Sequence, residues 1–209
     1  MQSKTLKYYL PHGRTVTLFS LIEEYGSGKE NEELGTVIKK EMKLLISQIQ
    51  EVQFSKNVMA SHFPVEIGID TKVKHYTHEF SWSRGDLSVL ILIYKADKAF
   101  GENYYKFMAN TVGKVVSTRR DLLPINQNPY LRNGTAGIAQ CFYTLYQLSG
   151  KEFYEEAYEY WISETYRLIA LEKNPVLSDD ILDNLEGVNL VLKSYRKEIS
   201  MEWSKRILL

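Results

Sequence analysis

The chain holds a single cysteine, Cys141, among 209 residues. That excludes an internal disulfide framework, and it excludes any zinc site built from two or more cysteines of this chain. Charge of one sign is not in excess either: Lys plus Arg and Asp plus Glu each number 26, so no global field draws nucleic acid or an anionic membrane. Long apolar runs are missing too. The longest, residues 87–94, falls well short of the roughly 20 residues that cross a bilayer. The opening "MQSKTLKYYLPHG" lacks the apolar centre of a secretion signal. These absences predict a cytoplasmic protein with no nucleic-acid partner and no transmembrane segment. With 44% hydrophobic and 25% charged residues, the composition is that of a globular protein, and residues 1–209 are expected to form one domain.

What is present is helical periodicity. "RTVTLFSLIEEYGSG" stops at a Gly-Ser-Gly turn, and the next segment repeats Leu34, Val37, Ile38, Met42, Leu45, Ile49 and Val52 at spacings of three and four. A second pair, "GDLSVLILIYKADKAFG" and "NYYKFMANTVGKVVSTRR", breaks at Gly101. A third breaks at Ser149-Gly150; its second helix carries Tyr154, Ala157, Tyr158, Trp161, Ile162, Thr165 and Leu168 as a buried stripe. A last helix spans "ILDNLEGVNLVLKSYRKE". Residues 54–80 alternate apolar and polar positions in "HFPVEIGID" and "KVKHYTHEF", which predicts two short strands in an insertion around residues 60–80.

A glycine recurs where each first helix opens: Gly13, Gly85, Gly134 and Gly187, separated by 72, 49 and 53 residues. This reads as a degenerate repeat of one helical hairpin. The first helices are the more apolar, so the pattern predicts an all-α fold with an inner ring sheathed by an outer one: a partial α/α toroid of about four inner helices.

The motifs in this order resemble the lanthionine synthetase C-like family, the cyclases of lanthipeptide biosynthesis. Members carry a His-Gly, a Trp-Cys-x-Gly-Asp-x-Gly turn, a Cys-His-Gly-x-x-Gly turn, a glycine-containing last inner helix and a C-terminal Trp before a Leu-rich end. The matching stretches here are "LPHGRTVTLFSLIE", "SWSRGDLSVL", "LRNGTAGIAQCFYTLYQLSG", "NLEGVNLVL" and "EWSKRILL". Val16, Ser88 and Asn189 are read as replacing the second glycine of their turns, whereas Gly137 keeps it.

The resemblance implies zinc held by one cysteine of the second turn and by the Cys-His of the third, lowering the pKa of a substrate thiol. The matching positions hold Ser83, Arg132 and Asn133. Serine binds zinc poorly, asparagine offers a neutral amide, and arginine brings a fixed positive charge. No resident metal or other cofactor is therefore expected. His12 matches the family's proton-handling histidine, but the chain is read as beginning after the family's partner acid, and Glu79 stands where members often have an arginine.

Trp82, Ser83, Arg84, Asp86, Arg132 and Asn133 are thus the candidate binding residues, with Arg84 and Arg132 expected to form a cationic pocket for a carboxylate or phosphate. Trp82 reads more readily as a packing residue than as the wall of a peptide groove. His62, His75 and His78 form only a weak metal pattern. Cys141 reads as a small buried hydrophobe. The tyrosine stripe with Phe153 and Trp161 reads as outer-ring packing before it reads as a platform for a sugar or peptide, and Arg119-Arg120 as a solvated helix end. The resulting expectation is a zinc-free member of the family that binds a peptide substrate or another biosynthetic subunit. Two rivals stand beside it: a cyclase completed by a partner chain, and an unrelated toroid hydrolysing glycans with Asp86 and Glu186 as its acids. Half a ring has open flanks, so homodimerisation or docking to a partner is expected.

Overall fold

The computed structural model describes residues 5–10, 12–27, 31–51, 54–55 and 58–207. Its helices are α1 (Arg14–Gly26), α2 (Glu32–Ile46), α3 (Asp86–Phe100), α4 (Asn103–Val116), α5 (Thr135–Ser149), α6 (Glu152–Leu171) and α7 (Leu185–Tyr195). Inner helices pack side by side, α1 on α3, α3 on α5 and α5 on α7, and each of the first three is backed by the helix that follows it. The sequence dictates the layering. In α3 and α5, ten of fifteen residues are buried, so these helices are apolar almost all round; in α2 only five of fifteen are, along one stripe. Gly101 and Gly150, both at φ 65°, end α3 and α5 in the left-handed cap that favours glycine, and the outer helix starts two residues later. This is the α/α toroid arrangement.

Strands frame the insertion. The expected pair appears as β4 (Glu66–Gly68) and β5 (Lys74–His75), and β1 (Thr5–Lys7) adds to β4, giving an antiparallel sheet in the order β1-β4-β5. A two-stranded ribbon joins β2 (Phe54–Ser55) to β3 (Val58–Met59). Val52 of the periodic apolar set lies outside the described residues. The stripe on α6 is buried at Tyr154, Ala157, Tyr158, Trp161, Ile162 and Thr165, and Leu168 is half-buried.

The fourth repeat is in a different register from the one read in the sequence. Gly13, Gly85 and Gly134 each precede the first residue of their helix, but the corresponding residue before α7 is Asn184, whose side chain accepts from the Gly187 backbone N–H at 3.1 Å. Gly187 lies inside α7 and is the counterpart of Gly137. A Cβ on Gly137 would lie 1.8 Å from the Leu131 carbonyl oxygen, and one on Gly187 would lie 1.9 Å from that of Ile181. Asn184 is at φ −129°, where any residue fits, so no glycine is needed there. The last inner helix therefore keeps the second glycine, and Asn189 is not its substitute.

Candidate functional site

The four turns that open the inner helices come together at one end of the ring, here termed the mouth. A main-chain ladder links them: Leu10 N–H donates to Ser83 O at 2.8 Å, Ser83 N–H to Arg132 O at 3.2 Å, and Arg132 N–H to Leu182 O at 2.8 Å. The residues one before each helix cap are then His12, Arg84, Asn133 and Asp183, and Ser83 and Arg132 lie one position further back. Three of the candidate positions are thereby brought together in space.

Their side chains are already engaged. Ser83 donates to Asn133 Oδ1 at 2.6 Å and contacts Ser81 Oγ at 3.2 Å. Arg132 Nε donates to both oxygens of Asp183, at 3.0 and 2.8 Å, and its Nη2 donates to Asp180. A zinc ion needs convergent anionic or imidazole donors with free lone pairs. Here the three positions supply a hydroxyl, an amide oxygen that the hydroxyl already occupies, and a guanidinium bound to two carboxylates. These residues do not fit zinc.

Arg84 does not act as a free cation beside Arg132. It pairs with Glu79 at 3.2 Å and lies over the Tyr9 ring, 5.2 Å from its centroid. At the mouth two guanidiniums thus meet three carboxylates, Glu79, Asp180 and Asp183, and the expected cationic pocket is neutralised from within. Asp180 and Asp183 were missed in the sequence because the fourth repeat was read three residues late; aligning Gly187 with Gly137 puts Asp183 in line with Asn133.

His12 is exposed beside this turn, and an isolated bridge between Tyr8 and Gly13 closes the loop around it. Trp82 is buried under the mouth and not open to it: its indole N–H donates to Ile207 O at 3.1 Å, tying the C-terminal 3-10 helix Met201–Ile207 to the foot of α3. Asp86 is buried as well. Its carboxylate accepts from the His62 and Phe63 backbone N–H groups at 2.8 and 3.0 Å and lies 3.0 Å from His62 Nδ1. It clamps the insertion onto α3 and has little capacity left for a ligand.

The other candidates distribute in the same way. Glu186 is exposed on α7 while Asp86 is closed off, so they do not form a solvent-facing acid pair. Among the described residues no three His, Cys, Asp or Glu groups converge for a metal. Cys141 is buried, and desolvation pushes its thiol far above the ordinary range. Arg119 is not the solvated helix end expected. It is buried against the Phe80 ring, 4.6 Å from its centroid, donates to His78 O at 2.6 Å and pairs with Asp121 at 3.2 Å; desolvation lowers its pKa. Arg120 lies over Tyr160.

An α/α toroid whose inner turns converge on a common mouth defines a broad class of helical-repeat proteins. Within that class, residues 7–174 match the model of the lanthionine synthetase C-like protein family, and the chain belongs to that family. Among solved structures it is similar to nisin cyclase, with a TM-score of 0.75 at 15% sequence identity; the match covers 98% of this chain and 50% of that one. The chain thus spans half the length of nisin cyclase. No curated protein matches the sequence. Among the described residues no helix is long and apolar enough to cross a membrane.

Proposed function

We propose that this chain is a zinc-free lanthionine synthetase C-like protein of lanthipeptide biosynthesis, working in the cytoplasm as one domain that binds a peptide at the mouth. The observation that carries the reading is the mutual engagement of Ser83 with Asn133 and of Arg132 with Asp180 and Asp183, at the positions where the family resemblance implies metal ligands. A frame that places these turns together is retained, and the donor set is not one for zinc. An acidic peptide segment would bind by exchange, its carboxylate displacing Asp180 or Asp183 from Arg132 and Glu79 from Arg84. A second copy or another biosynthetic subunit is the macromolecular partner of this reading, beside the peptide.

Equilibrium binding of a precursor peptide tests the reading. Affinity should fall on Arg132→Glu and, more weakly, on Arg84→Gln; affinity unchanged in both sinks peptide capture at the mouth. Metal analysis of the purified chain tests the other half, since one zinc per chain held at these residues would overturn it.

A further inference from the structure

After α7 the chain turns back along the inner face of the ring, the side of α3 and α5 away from their outer helices. Lys197, at φ 61°, makes the turn: its N–H donates to Ser194 O at 3.0 Å, and that of Glu198 donates to Lys193 O at 2.9 Å. The Trp203 indole N–H then donates to Ser194 Oγ at 2.9 Å, and the carbonyl oxygen of buried Ile207 holds the Trp82 indole. Between this segment and the inner helices lies a cavity of about 630 Å³, walled by Glu23, Lys95, Thr144 and Gln147 on one side and by Ser200 and Lys205 on the other.

Residues 198–207 are seated there without being well packed. A three-residue repeat brings Met201, Ser204 and Ile207 to one side of the 3-10 helix, and the middle one of the three is a serine. Seven residues are also long for a 3-10 helix, whose hydrogen bonds are poorly aligned. A lysine in the left-handed region strains the turn as glycine would not. Underneath, Gln140 is fully buried, and neither its amide nitrogen nor its amide oxygen has a hydrogen-bond partner. Positions 137, 140, 144 and 147 climb one face of α5. At the lower level a Cβ on Gly137 would meet Trp82, which Ile207 holds; at the upper level Thr144 and Gln147 face the segment across the cavity. Position 140 therefore lies beneath the segment. A buried amide unmet at both ends is rare and costs stability.

We propose that residues 198–207 are a strap that swings out at Lys197, and that the inner face beneath it is a peptide-binding groove. The strap shows what the groove holds: a tryptophan against Ser194 and an aliphatic residue four positions on, seated at Trp82. It leaves Gln140 unmet, and an amide with a free donor and a free acceptor matches a peptide bond, which offers one of each. A segment supplied in trans, with no tether at Lys197, meets both. Trp82 lies directly under the mouth, so a peptide held at the mouth continues into the groove. That the occupant is a lanthipeptide precursor rests on the proposed function; release of the strap does not.

Thiol labelling of the full chain tests the strap. Cys141 is buried and points about 100° round α5 from position 140, so in the parent it reacts only as the whole chain unfolds. In Gln140→Cys the added thiol should react at least roughly tenfold faster, at a rate that low urea leaves unchanged. Adding Trp203→Phe, which deletes the N–H bonded to Ser194, should raise that rate by about threefold, and adding Lys197→Gly should lower it by about threefold. Gln140→Leu should leave the Tm equal or higher, since an unmet amide is removed. The groove is probed with an acetylated and amidated peptide of residues 198–207, beside a scrambled control. Ile207→Asp, which unseats the strap, should bind the ordered peptide with a Kd on the order of 1 mM or below, while the parent, occupied by its own strap, should not saturate. Adding Gln140→Leu to Ile207→Asp should weaken the peptide by about threefold. Equal labelling in Gln140→Cys and the parent, indifference to Trp203→Phe and Lys197→Gly, a lower Tm in Gln140→Leu, unfolding of Ile207→Asp, or equal affinity for the scrambled peptide overturns the proposal. Labelling and peptide binding as expected, with no binding of a precursor peptide, would overturn only the proposed function.

Discussion

The Ser83 hydroxyl donates to the Asn133 amide oxygen over 2.6 Å, tying the turn that opens α3 to the turn that opens α5. Both residues lie where the family resemblance implies metal ligands, so a hydrogen bond between neutral side chains now joins the two turns there. Beneath it the backbone ladder from Leu10 through Ser83 and Arg132 to Leu182 continues to α7, and Arg132 with Asp183 reinforces that last step.

Ser83→Ala should therefore lower stability by about 1–2 kcal/mol, because Ser83 is buried and the Asn133 amide loses its donor. In a double-mutant cycle with Asn133→Ala the two changes should couple by at least roughly 0.5 kcal/mol. Urea unfolding of the four proteins measures this, and strict additivity would show that the contact contributes nothing.

Arg132→Ala removes an ion pair with two carboxylates and leaves Asp180 and Asp183 facing each other. Arg132 is 24% exposed at its side chain, and the two aspartates 46% and 38%, so solvent screening holds the cost to about 1 kcal/mol, a fall in Tm of roughly 2–4 °C for a chain of this size. Raising the salt concentration should shrink the difference between variant and parent. A salt-independent difference would place the contribution of Arg132 in packing instead.

Asp86→Asn should be the most damaging of these single polar changes, at about 3 kcal/mol or more. The carboxylate receives two backbone N–H groups and faces the His62 ring, all buried; an amide nitrogen in place of one oxygen would oppose a donor with a donor. Amide exchange at His62 and Phe63 should accelerate much more than exchange in the middle of α5. Equal acceleration everywhere would mean that Asp86 supports the whole domain and not the insertion specifically.

Much of this was legible in the sequence because hairpins of helices write a local code: apolar stripes three and four apart, then a glycine break. Gly101 and Gly150 end inner helices as that code predicts, and the alternation in "HFPVEIGID" and "KVKHYTHEF" yields β4 and β5. Strand β1 was not legible, since three residues become a strand only by pairing with β4 some sixty positions away. Ion-pair partners were equally hidden. Arg132 looked free because Asp180 and Asp183 approach from a loop whose register depended on one glycine. Arg119 looked solvated because nothing local shows that Phe80 and His78 fold over it.

That one glycine gives the sharpest test of the repeat. If Gly187 is the counterpart of Gly137, both should reject alanine, since a Cβ at either would sit under 2 Å from the carbonyl oxygen six residues earlier. No flexible side chain can yield there, because the obstructing atom is backbone. Gly137→Ala and Gly187→Ala should each cost about 3 kcal/mol or more, or abolish soluble expression. Gly26 serves as the control: it ends α1, is exposed, and a Cβ there meets nothing within 4 Å, so Gly26→Ala should be neutral or stabilise by about 0.5–1 kcal/mol. Thermal unfolding of the three variants decides it. A tolerated alanine at position 187 beside an intolerant 137 would restore the register in which Gly187 opens the last helix, and with it remove Asp183 from the line of residues at the mouth.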